Sequence, residues 1–162
     1  MTRSVRTPPT VDLSMLLNQS AHAMTNRLTV ALAEVDISVK VYCVLTKGVE
    51  GDFTQAQLAE RAWMDKTTMV NVLDDMEKRG LAVRSLSPTD RRVRVVGITA
   101  TGRKLLLRAD ELVQAAYDDV LGVLPAKDRS TFLSALTALV EGPLAAPFHM
   151  EEQLNRTRRS KR

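Results

Sequence analysis

Residues 64–103 read MDKTTMVNVLDDMEKRGLAVRSLSPTDRRVRVVGITATGR, and their order decides the fold. Asp65 and Lys66 lead an amphipathic helix that closes at Gly80. A β-type run follows, then the turn Ser87-Pro88-Thr89-Asp90 with Arg91 and Arg92 at its tip, then a second β-type run from Val93 to Ile98. Helix, strand, basic turn and strand is the order of a winged helix-turn-helix. In that arrangement one helix enters a major groove while a basic hairpin reaches the neighbouring minor groove. The expected partner is double-stranded DNA.

At 100° per residue, Met69, Val72, Leu73 and Met76 share one side of this helix and mark the core. Thr67, Asn71, Asp74 and Lys78 lie opposite, with Thr68 and Asp75 beside them. The polar face begins at the N-terminal end, where recognition helices meet bases. Asn71 suits a bidentate pair with adenine, Thr67 and Thr68 suit bases or phosphates, and Val70 suits a thymine methyl. Lys66, beside the free N–H groups of the first turn, suits a phosphate. Asp74 and Asp75 oppose DNA, so they are expected away from phosphates or in ion pairs with Lys78 and Arg79. Arg91 and Arg92 suit a narrow, electronegative minor groove, and Asp90 can fix the tip by accepting from the turn. Arg84 and Arg94, on the two strands, are expected to add phosphate-contacting charge. The competing reading is a solvated amphipathic helix beside a hairpin whose arginines are incidental.

Outward from this stretch the organisation is helical. Residues 1–11 read as a flexible arm. Asp12 caps a helix running to about Glu34, with Leu13, Leu17, Met24, Leu28, Ala31 and Val35 on one apolar stripe and Leu16, Ala23 and Val30 on a second. Arg27 is its one charged residue between Asp12 and Glu34, so burial against a second subunit is expected. Ser38 caps a short helix expected to end at Gly48, and Thr54 with Gln57 forms a capping box for the next. Thr99 caps a helix extending to about Val123, Pro125 breaks it, and a last helix over 126–141 gathers Phe132, Leu133, Leu136, Leu139 and Val140 on one side. The expectation is a mainly α fold with a small β-wing: a DNA-binding lobe over 37–99, flanked by N- and C-terminal dimerisation helices over 12–36 and 100–147. A basic C-terminal extension follows over 148–162.

Composition agrees. The 162 residues are 44% hydrophobic and 4% aromatic, which suits a helical core of Leu, Val, Ala and Met. Apolar runs fall well short of the ~20 residues that cross a bilayer, and the N-terminus lacks a signal-peptide core. One cysteine, Cys43, excludes an intrachain disulfide and fits a reducing cytoplasm. The net charge of +4 is uneven: residues 37–104 carry +4 and 151–162 carry +3, while 105–150 carry −3. Basic charge on the central segment is the footprint phosphates require. The chain shows no H-E-x-x-H, no phosphate-binding glycine loop and no metal cluster, and its two histidines stand apart at 22 and 149. No catalytic site, metal or cofactor is expected.

Leu58-Ala59-Glu60, Asp65-Lys66-Thr67-Thr68, Leu73, Met76-Glu77-Lys78-Arg79-Gly80-Leu81, Ser87-Pro88-Thr89-Asp90-Arg91-Arg92 and Ile98-Thr99-Ala100-Thr101-Gly102 together resemble the multiple antibiotic resistance regulator (MarR) family. The likeness covers about residues 12–142. It implies a homodimer whose outer helices form the interface, bound to a near-palindromic operator, usually as a repressor. It also implies release by a small aromatic or anionic ligand held between the dimerisation helices and the DNA lobe, or by cysteine oxidation in some members. Asn71 and Val70 depart from the common recognition-helix pattern, so a distinct operator is expected, and the basic tail after Pro147 lies outside that pattern. For the ligand, the first helix offers a polar strip with His22 and Asn26, and Tyr42 on the next helix offers an aromatic wall. His22 and Tyr42 can equally be structural, and Cys43 an inert core thiol. The tail over 156–162 suits either phosphate contact or solubility. A winged helix used for protein or RNA contact is the remaining alternative.

Overall fold

A computed structural model describes residues 12–145. Eight elements follow in order: α1 Leu13–Ala33, α2 Val39–Gly48, α3 Gln55–Arg61, α4 Lys66–Lys78, β1 Ala82–Leu86, β2 Arg94–Ile98, α5 Ala100–Leu121 and α6 Ala126–Glu141. The expected arm over 1–11 and the extension over 148–162 lie outside the described residues. Contacts divide the chain at Asp118–Asp119, so α1 to α4, the strands and most of α5 form one unit, and the end of α5 with α6 belongs to another.

The helix starts follow from side-chain caps. The carboxylate or hydroxyl of Asp12, Ser38, Thr54 and Asp65 accepts from the backbone N–H of Met15, Val41, Gln57 and Thr68 respectively. Gln57 completes the capping box by accepting from Thr54 N at 2.9 Å. Each cap satisfies a donor that the first helical turn leaves without a carbonyl.

Three helix ends share one geometry. Asp36, Trp63 and Gly80 adopt positive φ (54°, 52° and 67°). The next residue's N–H then reaches back five positions: Ile37 to Leu32 O at 3.2 Å, Met64 to Ala59 O and Leu81 to Met76 O, both at 2.8 Å. These are left-handed C-terminal motifs that satisfy the last carbonyls. Only Gly80 adopts that conformation without a Cβ penalty.

The core of this unit joins Leu32, Val44, Leu45, Leu58, Met69, Leu73, Met76, Val96 and Val113, all fully buried. The strands pair antiparallel with Arg84 opposite Val96 and Leu86 opposite Arg94. Phe53 adds a single bridge to Val96, whose N–H donates to Phe53 O at 2.8 Å. The expected apolar face of α4 is the one buried.

Several boundaries differ from expectation. α2 ends at Gly48 as expected, but with the glycine as its last helical residue; a Cβ at Gly48 would stand 2.8 Å from Ile98 Cδ1, so glycine lets α2 approach β2. α5 ends at Leu121, not Val123. In α1 only Leu28 and Leu32 are buried, whereas Leu13, Met15, Leu16 and Val30 face outward. In the second unit α6 buries none of its residues, and Phe132, Leu133, Leu139 and Val140 stay exposed.

Candidate nucleic-acid interface

At the start of α4, Asp65 does two things. It accepts from Thr68 N at 2.9 Å and from the Thr68 hydroxyl at 2.7 Å, and these bonds hold its carboxyl below the usual range. Thr68 therefore spends its proton inside the cap and keeps only acceptor lone pairs for a ligand. Lys66, Thr67 and Asn71 are exposed, and none of their side chains has a hydrogen bond or ion pair among the described residues. Val70 is 38% exposed, so a methyl-sized contact is available.

The wing tip is built by two small side chains. Ser87 is buried; its hydroxyl sits 3.0 Å from that of Thr89 and accepts from Thr89 N and Asp90 N. Asp90 accepts from Arg92 N at 2.9 Å, and Val93 N donates to Asp90 O at 3.0 Å. Asp90 thus shapes the turn, as an Asx turn does. Arg91 and Arg92 stand exposed at its tip, with Arg94 exposed at the root of β2.

Arg84 parts company with them. Its side chain turns inward to 20% exposure and is caged by acceptors from two helices. Nη1 donates to Asp74 Oδ1 at 2.8 Å and to Glu77 Oε2, Nη2 donates to Gln55 Oε1 at 3.3 Å, and Arg84 N donates to Glu77 Oε1 at 2.8 Å. Burial works against its charge, yet the bonds to Asp74 and Glu77 outweigh that and raise its pKa. The phosphate contact expected of Arg84 meets a guanidinium that two carboxylates already hold. Asp74 is likewise paired with Arg84 and not with Lys78. The expectation for Asp75 holds, since it faces Arg79 at 3.5 Å, and Arg79 also donates to Asp36 O at 2.6 Å. Sequence spacing showed the acids and the arginines but not this exchange of partners.

The three residues proposed for a ligand are not gathered. His22 and Asn26 are exposed on α1. The half-buried Tyr42 donates its hydroxyl to Asp110 Oδ1 on α5 at 2.9 Å; burial first, then Asp110, push its pKa up to about 12. A cavity of about 220 Å³ beside Tyr42 is lined by Cys43, Thr46, Lys47, Arg61 and Trp63 among others, and includes neither His22 nor Asn26. Sequence reading missed Trp63, which is 68% exposed at positive φ in the turn before α4. Burial pushes the Cys43 thiol up, although Lys47 opposes this, so the thiolate that oxidation needs is disfavoured. No three potential metal ligands cluster among the described residues, and no helix there is long and apolar enough to cross a membrane.

Comparison with known proteins places this geometry. A MarR family model matches residues 46–93. A putative transcriptional regulatory protein for the hcr operon of Thauera aromatica is 30% identical over 99 residues, 61% of this chain and 60% of that protein. The transcriptional regulator HosA of Escherichia coli O111:H- is 33% identical over 86 residues, 53% of this chain and 64% of HosA. The matches thus span under two thirds of these relatives. CouR from Rhodococcus jostii RHA1, solved bound to p-coumaroyl-CoA, superposes with a TM-score of 0.72 at 27% identity, covering 80% of this chain and 92% of CouR. The Mycobacterium tuberculosis MarR family protein Rv2887, solved in complex with DNA, superposes at 0.70 and 26% identity, covering 80% and 98%. Sequence model, relatives and fold agree with the helix order and wing described above: the chain is similar to MarR family regulators over residues 46–93 and shares their fold.

Proposed function

We propose that this chain is a sequence-specific regulator of transcription that binds double-stranded DNA as a homodimer, and that it represses until a small molecule releases it. The observation that carries the reading is one pair of surfaces: the uncommitted polar N-terminal face of α4 and the exposed Arg91–Arg92 tip held by Ser87 and Asp90. The helix supplies base-edge contacts through Thr67, Val70 and Asn71, and the first turn and wing grip phosphates and the minor groove through Lys66, Arg91, Arg92 and Arg94. Thr68 contributes as an acceptor, Asp90 by holding the tip. That Rv2887 was solved with DNA supports a shared mode. The reaction repertoire of an enzyme is not required, and the site of action is the cytoplasm, where operator DNA lies.

The homodimer rests on apolar side chains left exposed on α1 and, separately, on α6. Residues 12–36 and 100–147 are proposed as the dimerisation region and 37–99 as the DNA lobe. Release by a ligand draws on CouR, solved with p-coumaroyl-CoA, and on Rv2887, also solved with p-aminosalicylic acid. In this chain Tyr42 and the cavity beside it are the proposed contact, with His22 and Asn26 arriving only from another surface.

Selection of a duplex from a random pool, followed by anisotropy titrations, tests the reading. Arg91→Ala should weaken binding to every duplex and flatten the salt slope by about 0.9, the share of one phosphate. Asn71→Ala should cost about 1–3 kcal/mol on the selected duplex and relax one base position. Equal losses for Asn71→Ala on selected and scrambled duplexes would remove direct readout. Absence of any salt-sensitive duplex complex would remove DNA binding itself.

A further inference from the structure

The recognition helix carries three carboxylates in its second half, Asp74, Asp75 and Glu77, against one lysine, Lys78. Such a helix repels phosphates unless the acids are matched from elsewhere. Two arginines outside the helix body match them: Arg79, its C-cap, takes Asp75, and Arg84, on β1, takes Asp74 and Glu77 together. Asp74 and Glu77 stand three residues apart, so they share one face of α4, the face toward the wing. The second carboxylate oxygen of Glu77 also accepts from the backbone N–H of Arg84. Main chain and side chain of one strand residue are thus both fastened to α4, and Nη2 reaches Gln55 at the start of α3.

We infer that Arg84 is a positioning residue that sets the wing at a fixed attitude to the recognition helix and silences the two acids of that helix toward DNA, rather than a phosphate contact. The inference rests on the proposed DNA-binding reading and deepens it. Its physical content is a planar fork that satisfies two carboxylates from one nitrogen and an amide from another, a reach that an ammonium, with all its donors on one nitrogen, does not reproduce. Removing the fork leaves two uncompensated charges beside the DNA-facing surface and frees the strand that carries the wing arginines.

A double-mutant cycle tests it with the full chain on its selected duplex and a scrambled duplex, each over a range of salt. Arg84→Met should lower affinity for the selected duplex at least tenfold and narrow the ratio between selected and scrambled duplexes. Its salt slope should not flatten, because no phosphate contact is lost. Asp74→Asn with Glu77→Gln, in the presence of Arg84, should give no gain, since the acids are already matched. The same pair added to Arg84→Met should recover affinity. Arg84→Lys should recover part of the affinity and less of the ratio.

Two results would overturn the inference. One is a slope flattened by about 0.9 in Arg84→Met, which marks a phosphate contact. The other is tighter binding when Asp74 and Glu77 are neutralised beside an intact Arg84, which marks acids that were never silenced. Should Arg84→Met fail to fold by circular dichroism, the triple variant and Arg84→Lys carry the same comparisons without a lone carboxylate pair. A wild-type chain that binds no duplex would end both readings together, whereas wild-type binding matched by Arg84→Met ends this one alone.

Discussion

Gly102→Ala should destabilise the fold, although an alanine in a helix normally stabilises it. Gly102 lies in the first turn of α5, buried against the junction that follows α4. A Cβ built there would stand 2.3 Å from Leu81 O and 2.9 Å from Ile98 Cγ2. The carbonyl would have to retreat by at least 0.7 Å to reach the 3.0 Å below which real Cβ contacts essentially never fall. That carbonyl has no freedom to do so: it accepts from Thr99 N at 3.1 Å and lies 3.2 Å from the Thr99 hydroxyl oxygen, whose one proton is shared with Gly80 O. The same hydroxyl caps α5 by accepting from Gly102 N at 3.0 Å and donates to Gly80 O at 2.7 Å. Overpacking costs about 1–3 kcal/mol. Weakening the bond from Thr99 N costs about 1 kcal/mol. Gains in helix propensity return at most ~1 kcal/mol. The net is a loss of about 2 kcal/mol, or a fall in Tm of roughly 4–8 °C for a chain of this size. Thermal unfolding followed by far-ultraviolet circular dichroism, at one protein concentration because assembly shifts Tm, measures it. Gly97→Ala is the control, since its Cβ would meet Val83 Cγ1 at an ordinary 3.8 Å and should change stability by less than about 0.5 kcal/mol. A Gly102→Ala chain as stable as the wild type would refute the close packing of Leu81 on α5.

Trp63→Gly should relieve the left-handed strain at the turn before α4; relief of about 1–2 kcal/mol, less the entropy that glycine adds to the unfolded chain, leaves a gain of up to roughly 1 kcal/mol. Trp63→Ala keeps the strain, so equal melting temperatures for the two variants would show that none is stored there. Asp65 has its pKa lowered by the Thr68 N–H, so its stabilising share is present above the ordinary carboxylate value and is lost as pH falls through the lower folded one. Asp65→Asn should therefore flatten the decline of Tm on the acid side, and an unchanged acid limb would contradict the cap. Tyr42 is the mirror case: a pKa pushed up to about 12 gives stability that is full below the ordinary value of ~10 and lost as pH rises toward 12. In an absorbance titration Tyr42→Phe should remove the late phenolate component, and its persistence would place that component on Tyr117.

Helix starts were legible because their cause is local. Asp12, Ser38, Thr54, Asp65 and Thr99 each cap the element they precede, and the partner lies three residues away. Period alone also identified the buried face of α4, where Met69, Val72, Leu73 and Met76 need only a core to face. What stayed hidden depends on distant chain. Gly48 reads as a helix stop, yet its role is set by Ile98, fifty positions on. Arg84 reads as surface charge because strand alternation tells which side it points to and not that Asp74, Glu77 and Gln55 wait there. His22 and Tyr42 read as a pair on neighbouring helices, but Tyr42 answers to Asp110 on α5. In α1 the wide apolar stripes hid that Leu28 and Leu32 alone are buried within the chain, with Met24 only partly covered.

Charge shows most sharply why counting and placement differ. A net +4 over residues 37–104 suggests a diffuse basic surface. Ion pairing sorts those cations into two kinds. Lys47 and Arg61 share Glu50, Arg79 lies between Asp75 and Asp36, and Arg84 is held by Asp74 and Glu77. These brace the lobe, and their exposed pairs contribute little to the field outside it. The other eight have no carboxylate partner among the described residues: Lys40, Lys78, Arg103 and Lys104, together with Lys66, Arg91, Arg92 and Arg94, the four that sit at the head of α4 and along the wing. A polyanion exchanges its counterions for unmatched charge, so the salt slope of binding should follow these four positions and ignore the paired ones. Under the proposed function the acids of α4 are then no objection to DNA binding: Asp74, Asp75 and Glu77 have their counterions in the framework, and the first turn and the wing tip are the proposed places where the phosphate field is felt.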